Sequence, residues 1–398
     1  MKNPTAEACA ALRIQAEAAA RQAGVFRWDA EGLCPDSRER LALLYRRLLR
    51  KSGAVGGMLV IVHGPHTEIF TAGQARLHPP LPVRAETCFR MASVTKLVVT
   101  FGFLSMAEEG LLSPDADVSE VFGFPVRHPH FPRKPVTARM LMTHTSGITD
   151  FGCYAKVDPE HPLPLPELLC REDCWRDSPP GDSFQYSNLG AGITGALMEK
   201  AAHLPLSEIM RRRVFSPLGI RATLDPRRVS PRSDLADGYR DTPLPFLPRI
   251  CAYDAARLSA RPEERFDPLT GYFAGVGRLI ADGRAADQLL RLLAAKEDTS
   301  VLSLSSLREM RSLQDGRGGI AHAGRGLNTA FLPGVFPGRT LIGHQGAAYG
   351  MCAELFVDPE TGDGAAVLTS GMNLRRRREP FVSGGFDLLA LAFAAIGS

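Results

Sequence analysis

The strongest constraint on this chain is where its strand-like runs lie. Residues 58–63 (MLVIVH) and 67–72 (TEIFTA), split by a Gly-Pro turn signal, read as a β-hairpin. Residues 350–358 (GMCAELFVD) and 365–370 (AAVLTS), joined by the turn Pro359-Glu360-Thr361-Gly362, read as a second one near the opposite end. Between them the pattern is helical and loop-rich. Strands at both ends with helices between predict that the ends meet in one sheet while the centre makes a separate helical body. The expected class is α/β in the mixed α+β sense: an antiparallel sheet flanked by helices, built from both chain ends, plus a mostly helical lobe.

The expected division is an N-terminal helical extension over 1–52, a sheet lobe from 53–90 and 330–398, and a helical lobe over 91–329. The last includes an irregular excursion at 221–270, dense in Pro, Arg and Asp, and the active site is expected between the lobes. Residues 6–23 are alanine-rich and helical in pattern, and Asp36-Ser37 can cap a second helix running to about Lys51. Further helices are expected from Ser93 to Gly110, over 137–143, 188–202, 205–214, 275–296 and 386–396, with a long Pro-rich loop at 159–181.

Chemistry concentrates at 91–102 (MASVTKLVVTFG), where Ser93 and Lys96 stand three residues apart and so on one face of a helix starting near Ala92. The following residues, Leu97, Val98, Val99, Phe101, Phe103, Leu104 and Met106, are apolar around nearly the whole circumference, the mark of an interior helix. A hydroxyl in its first turn sees unpaired backbone N–H groups and the positive end of the helix dipole, which suits an attacking oxygen and the oxyanion it creates. A lysine that is to accept a proton near pH 7 needs a pKa about three units below the ordinary 10.4, or about 4 kcal/mol. A helix dipole supplies roughly 0.3 to 1 kcal/mol, so an enclosed lysine is required. Lys96 alone among the seven lysines has a serine three places before it.

Two further elements complete the candidate site. Tyr186-Ser187-Asn188 sits just before a helix: a phenol near an ammonium can share proton transfer, and the amide two residues on can bind a substrate carbonyl, although a loop tyrosine with an N-cap asparagine explains the same residues. His344-Gln345-Gly346 leads into the final hairpin, where glycine lets a substrate backbone approach and the N–H of Ala347 can pair with that of Ser93 as an oxyanion hole. His322-Ala323-Gly324 repeats the spacing without a following strand-like run and ranks below it.

With 398 residues, 44% hydrophobic and 23% charged, the chain can bury a large core. A net charge of +4 with scattered basic residues suggests no nucleic-acid partner; the arginine runs at 211–213 and 375–378 read as solvated faces, the second also within possible reach of an anion in the cleft. Eight cysteines without a C-x-x-C pair indicate neither a metal site nor a disulfide framework. The N-terminus, interrupted by Glu7, Arg13, Glu17 and Arg21, lacks the apolar core of a leader, and no apolar stretch is long enough to span a bilayer, so a cytoplasmic location with reduced cysteines is expected. No cofactor is expected, the partner is a small-molecule substrate, and G-x-S-x-G, H-E-x-x-H and Walker A patterns are missing.

S-V-T-K at 93–96, Y-S-N at 186–188 and H-Q-G at 344–346, in that order, resemble the three signature elements of the serine β-lactamase and penicillin-binding protein superfamily. The likeness is to its class C β-lactamase, D-alanyl-D-alanine carboxypeptidase and esterase branch. LMTHTSGI at 141–148, PPGDSFQYSNLG at 179–190, SPLGI at 216–220 and GHQGAAYG at 343–350 extend it over roughly 55–373. The resemblance implies a β-lactamase/transpeptidase-like fold, an acyl-enzyme on Ser93, base and acid duties shared by Lys96 and Tyr186, and substrate contacts from Asn188, His344, Gly346 and Ala347. His344 stands where many relatives have lysine, and Gln345 where they often have a small hydroxyl residue. Both weaken the β-lactam reading, so hydrolysis of a small ester or amide ranks first, a β-lactamase or D-Ala-D-Ala carboxypeptidase second, and a non-catalytic ligand-binding or sensor protein third.

Overall fold

The computed structural model describes residues 4–158, 161–240, 251–259, 266–314 and 325–397. Its frame is one antiparallel sheet of β1 (Gly56–His63), β2 (His66–Leu77), β3 (Pro80–Pro82), β4 (Arg325–Gly326), β5 (Thr329–Pro333), β6 (Thr340–Ala348), β7 (Met351–Val357) and β8 (Gly364–Ser370). The strands lie in the order β4-β5-β6-β7-β8-β1-β2-β3. The β8–β1 ladder joins the chain ends, with Gly364 opposite Val62 and Ser370 opposite Gly56.

Continuous apolarity in β1 follows from burial on both faces, since side chains alternate along a strand. Met58, Val60 and Val62 enter one core with Ala366 and Leu368, while Leu59 and Ile61 enter another with Ala365 and Val367. Helices α1 (Pro4–Ala23), α2 (Pro35–Lys51) and, at the end of the chain, α8 (Ser383–Ile396) supply Leu12, Leu41, Tyr45 and Phe386 to the second core. The first core is filled from α3 (Val94–Glu108), α4 (Ala138–Met142), α5 (Asn188–Ala202), α6 (Ala274–Gly277) and α7 (Gly283–Ala294). Every residue of α3 from Val94 to Leu104 is buried, so this helix is central, as its unbroken apolarity requires.

Some local expectations differ from the structure. In α2, Cys34 is the N-cap and Pro35 takes the first turn, while the Ser37 hydroxyl accepts a hydrogen bond from the Arg27 N–H (3.0 Å). The single helix expected at 275–296 is α6, a strand Ile280–Ala281, and then α7, whose N-cap Asp282 accepts from the Ala285 N–H. That strand lies between Phe89–Arg90 and Ala222–Thr223, so the 221–270 segment contributes to a small sheet beside α3. The 159–181 segment contains a short helix, Leu165–Leu169. His322-Ala323-Gly324 falls outside the described residues.

Cys153 and Cys174 are joined as a disulfide, against the expectation of reduced cysteines throughout. The bond links segments that approach closely for backbone reasons: Thr149 N donates to Cys174 O (3.0 Å), and a Cβ on Gly152 would lie 2.2 Å from Asp173 O. A separation of 21 residues with no repeated spacing left this pair without a sequence signature. Among the described residues no helix is long and apolar enough to cross a membrane.

Candidate active site

The start of α3 is held from outside. Met91 N donates to Leu279 O (2.7 Å) and Leu279 N to Thr95 Oγ1 (3.0 Å), so the turn carrying Ser93 is pinned across its whole width. Ala92 adopts φ +46°, a left-handed conformation that costs a non-glycine residue energy and recurs where a fold over-determines a functional turn. Ser93 opens into a cleft of about 1620 Å³ whose walls also include Tyr186, Asn188, Arg325, His344 and Ala347.

Lys96 is 1% exposed, the enclosure that a proton-accepting lysine requires. Its Nζ lies 3.1 Å from Ser93 Oγ, 2.9 Å from Asn188 Oδ1 and 2.7 Å from Val276 O. The same nitrogen sits 5.1 Å from the centre of the Tyr186 ring. The structure thus brings Ser93, Lys96, Tyr186 and Asn188 together, from the starts of two helices far apart in sequence and the loop just before the second. No described carboxylate pairs with the ammonium, and Val276, a backbone acceptor, carries no side-chain signal that could have marked it.

Asn188 is fixed by a residue that sequence reasoning missed. The Asp150 carboxylate accepts from Asn188 N and Nδ2 (2.8 Å each), Leu189 N (3.0 Å) and Ser187 Oγ (3.1 Å), capping the first turn of α5. The Asn188 amide therefore bridges Lys96 and Asp150. An aspartate two residues beyond the LMTHTSGI phrase was the available signal, but its partner lay 38 residues on.

On the opposite wall β6 carries His344, Gln345, Gly346 and Ala347. Its ladder with β5 ends at the Ala330–Gly343 pair, so the following residues present a strand edge on the Ser93 side. Gly346 is packed against the Ser93 turn: a Cβ there would lie 2.2 Å from Met91 O and 2.7 Å from Ser93 N. Its missing side chain lets β6 lie directly on the start of α3, and Ala347 lines the same cleft as Ser93.

His344 is buried, and burial together with the positive charges of Arg325 and Lys96 pushes its pKa down to about 3. Nδ1 contacts Gln345 O at 2.5 Å, so in the neutral ring Nδ1 carries the proton and Nε2 is a bare acceptor, with no partner among the described residues. His144, against Tyr186 at 4.6 Å between ring centres, is also driven well below its ordinary pKa by burial first and these cations second.

The sign of the resulting pH effect is fixed. Below about pH 6.5 an unfolded histidine binds a proton that folded His344 refuses until about pH 3, so stability falls on acidification through that window. His344→Gln is expected to reduce the slope of unfolding free energy against pH by about 1.4 kcal/mol per pH unit between pH 6 and 4. Guanidinium titrations of both proteins across that range check it; parallel slopes would refute the assignment.

The beta-lactamase family model matches residues 41–382. The chain belongs to the beta-lactamase family. Among curated proteins it is similar to penicillin-binding protein 4* of Bacillus subtilis, 26% identical over 202 residues that make up 49% of this chain and 44% of that protein. It is also similar to esterase EstB of Burkholderia gladioli, 28% identical over 282 residues, 64% of this chain and 69% of that one. The match thus spans less than half the length of the first relative. Among solved structures, EstCE1, a hydrolase with promiscuous acyltransferase activity, superposes with a TM-score of 0.69 at 23% identity over 91% of this chain and 99% of that one. That likeness bears on the fold, and the β-lactamase/transpeptidase-like fold implied by the three signature elements is the one observed.

The arginine runs separate. Arg211, Arg212 and Arg213 pair with Glu208 and Glu109 at the surface. Arg378 pairs with Asp387, while Arg377 lines the cleft.

Proposed function

We propose that this chain is a serine hydrolase that forms an acyl-enzyme on Ser93 and hydrolyses a small ester or amide. The observation that carries this reading is the 3.1 Å contact between Ser93 Oγ, which opens into the cleft, and the enclosed Nζ of Lys96. In the proposed mechanism Lys96 takes the Ser93 proton as Oγ attacks the carbonyl carbon, and Tyr186, whose ring lies against the lysine nitrogen, gives its proton to the departing alcohol or amine and is reprotonated from Lys96. The N–H groups of Ser93 and Ala347 receive the negative oxygen, each such donor being worth about 10² to 10³ in rate. Water then enters, gives a proton to the restored Lys96 as its oxygen attacks the acyl carbon, and that proton passes back to Ser93 Oγ as the acid leaves.

Asn188 holds the lysine in register through Asp150 and borders the acyl site, and Gly346 sets the spacing between the strand edge and the nucleophile. The division expected from the sequence is part of the proposal: Ser93, Lys96, Tyr186 and Asn188 come from the 91–329 part and His344, Gly346 and Ala347 from the end-derived sheet, so the cleft lies at their junction. Neutral His344 supplies no positive charge at the place where a β-lactam carboxylate would need one, which favours esters and simple amides over cephalosporins.

Intact-mass spectrometry after treatment with a fluorophosphonate tests the reading. One adduct per chain is expected, absent in Ser93→Ala; an unmodified parent protein would reject it in favour of a binding protein. With a p-nitrophenyl ester and a chromogenic cephalosporin side by side, faster turnover of the cephalosporin would reverse the substrate ranking.

A further inference from the structure

Arg325, on the two-residue strand β4, is not part of the machinery described so far. It is 5% exposed and lines the same cleft as Ser93. Its Nε and Nη1 are enclosed and have no hydrogen-bond partner, and no carboxylate pairs with it among the described residues. Its guanidinium lies over two ring faces: Cζ is 4.8 Å from the centre of Phe184 and 6.0 Å from that of Tyr186. Both rings border the cleft.

A buried guanidinium with idle donors is costly unless something completes it. Stacking on Phe184 offsets part of that cost but satisfies no N–H. Burial lowers its pKa only to about 10, so it keeps its charge at neutral pH. His344, one of the β6 residues lining the cleft, stays uncharged in part because this cation is close by. Positive charge in this wall of the cleft has therefore moved from the β6 strand to β4, beside Tyr186.

We propose that Arg325 is the anion-recognition residue of this cleft and that the natural acyl substrates carry a carboxylate, received by its idle N–H groups on the Phe184–Tyr186 side. This rests on the hydrolase reading above and specifies its substrate class. A carboxylate accepts more than one N–H from a guanidinium, and a pairing formed away from water is stronger than one at the surface. Nε2 of His344, an acceptor without a donor, is available in the same cleft for an N–H or O–H of the ligand.

The test compares p-nitrophenyl hydrogen glutarate with p-nitrophenyl butyrate, using the parent protein, Arg325→Met and Arg325→Lys, each checked for cooperative thermal unfolding. The parent is expected to prefer the charged ester in kcat/KM. Arg325→Met should lower the charged-to-neutral ratio by about 10- to 100-fold, the worth of a hydrogen bond to a charged group, and Arg325→Lys should recover part of it. A ratio unchanged in Arg325→Met, including an equal loss on both esters, assigns the arginine to packing against Phe184 and overturns the proposal. If neither ester is turned over, the hydrolase reading fails and the anion site is judged by binding alone. In that case glutarate, against sodium chloride of equal ionic strength, must raise the Tm of the parent and not of Arg325→Met; equal shifts in the two proteins overturn it.

Discussion

Replacing Lys96 by methionine is expected to lower kcat/KM for an activated ester by 10² to 10⁴, the usual contribution of a positioned general base. Methionine is unbranched and nearly as long, so it fills the space between α3 and α5 without a large cavity. Val276 O and Asn188 Oδ1 lose their donor, which costs about 1 to 3 kcal/mol for each acceptor left without water. Against this, an enclosed ammonium that pairs with no described carboxylate is itself expensive, and its removal leaves no counter-charge stranded. The two effects oppose, so the change in Tm should be modest while the loss of activity is large. Stopped-flow or plate assays with a p-nitrophenyl ester and a thermal melt on the same preparation separate the two. A variant within tenfold of the parent rate would remove Lys96 from the mechanism.

A methyl group at Gly346 is expected to do comparable damage from the other wall. Its Cβ would meet Met91 O and Ser93 N at distances no carbon tolerates, and these backbone atoms belong to a turn pinned by the bonds from Met91 N to Leu279 O and from Leu279 N to Thr95 Oγ1. Neither neighbour can swing aside, so β6 must lift from the start of α3. A displacement of about 1 Å at a reacting centre costs about 10²-fold in rate, and forced overpacking about 1 to 3 kcal/mol in stability. Gly346→Ala should show both losses. Gly190→Ala, in the first turn of α5, is the matched control: its added Cβ meets nothing closer than 3.5 Å, and alanine is the better helix former. Parent-like activity in Gly346→Ala would mean that the β6 edge and the Ser93 turn are not as tightly seated as the structure has them.

Several features were legible in the sequence because they depend on local pattern. The hairpin at 58–72 and the β7–β8 hairpin are written in runs of strand formers bounded by turn residues, and α3 in an apolar stretch long enough to be an interior helix. Ser93 and Lys96 needed only helical spacing to be placed side by side. Local pattern misread 275–296, where two short elements and a strand share one apolar composition. It was silent on β4 and β5, too short or too irregular to stand out from the loops.

What the sequence by itself determined is the antiparallel sheet closed by the two chain ends, the buried helix between them and the order of the three chemical elements along the chain, because periodicity and spacing are properties of neighbours in sequence. Only the tertiary structure decided that Asp150 links Asn188 to Lys96, that Cys153 meets Cys174, that Gly346 packs against the Ser93 turn, and that the charged side chain in this wall of the cleft is Arg325 rather than His344. Each of these depends on burial or on contact between segments distant in the chain. The charge state of a histidine and the idle donors of an arginine are set by what surrounds them, and no stretch of residues read in order contains its own surroundings.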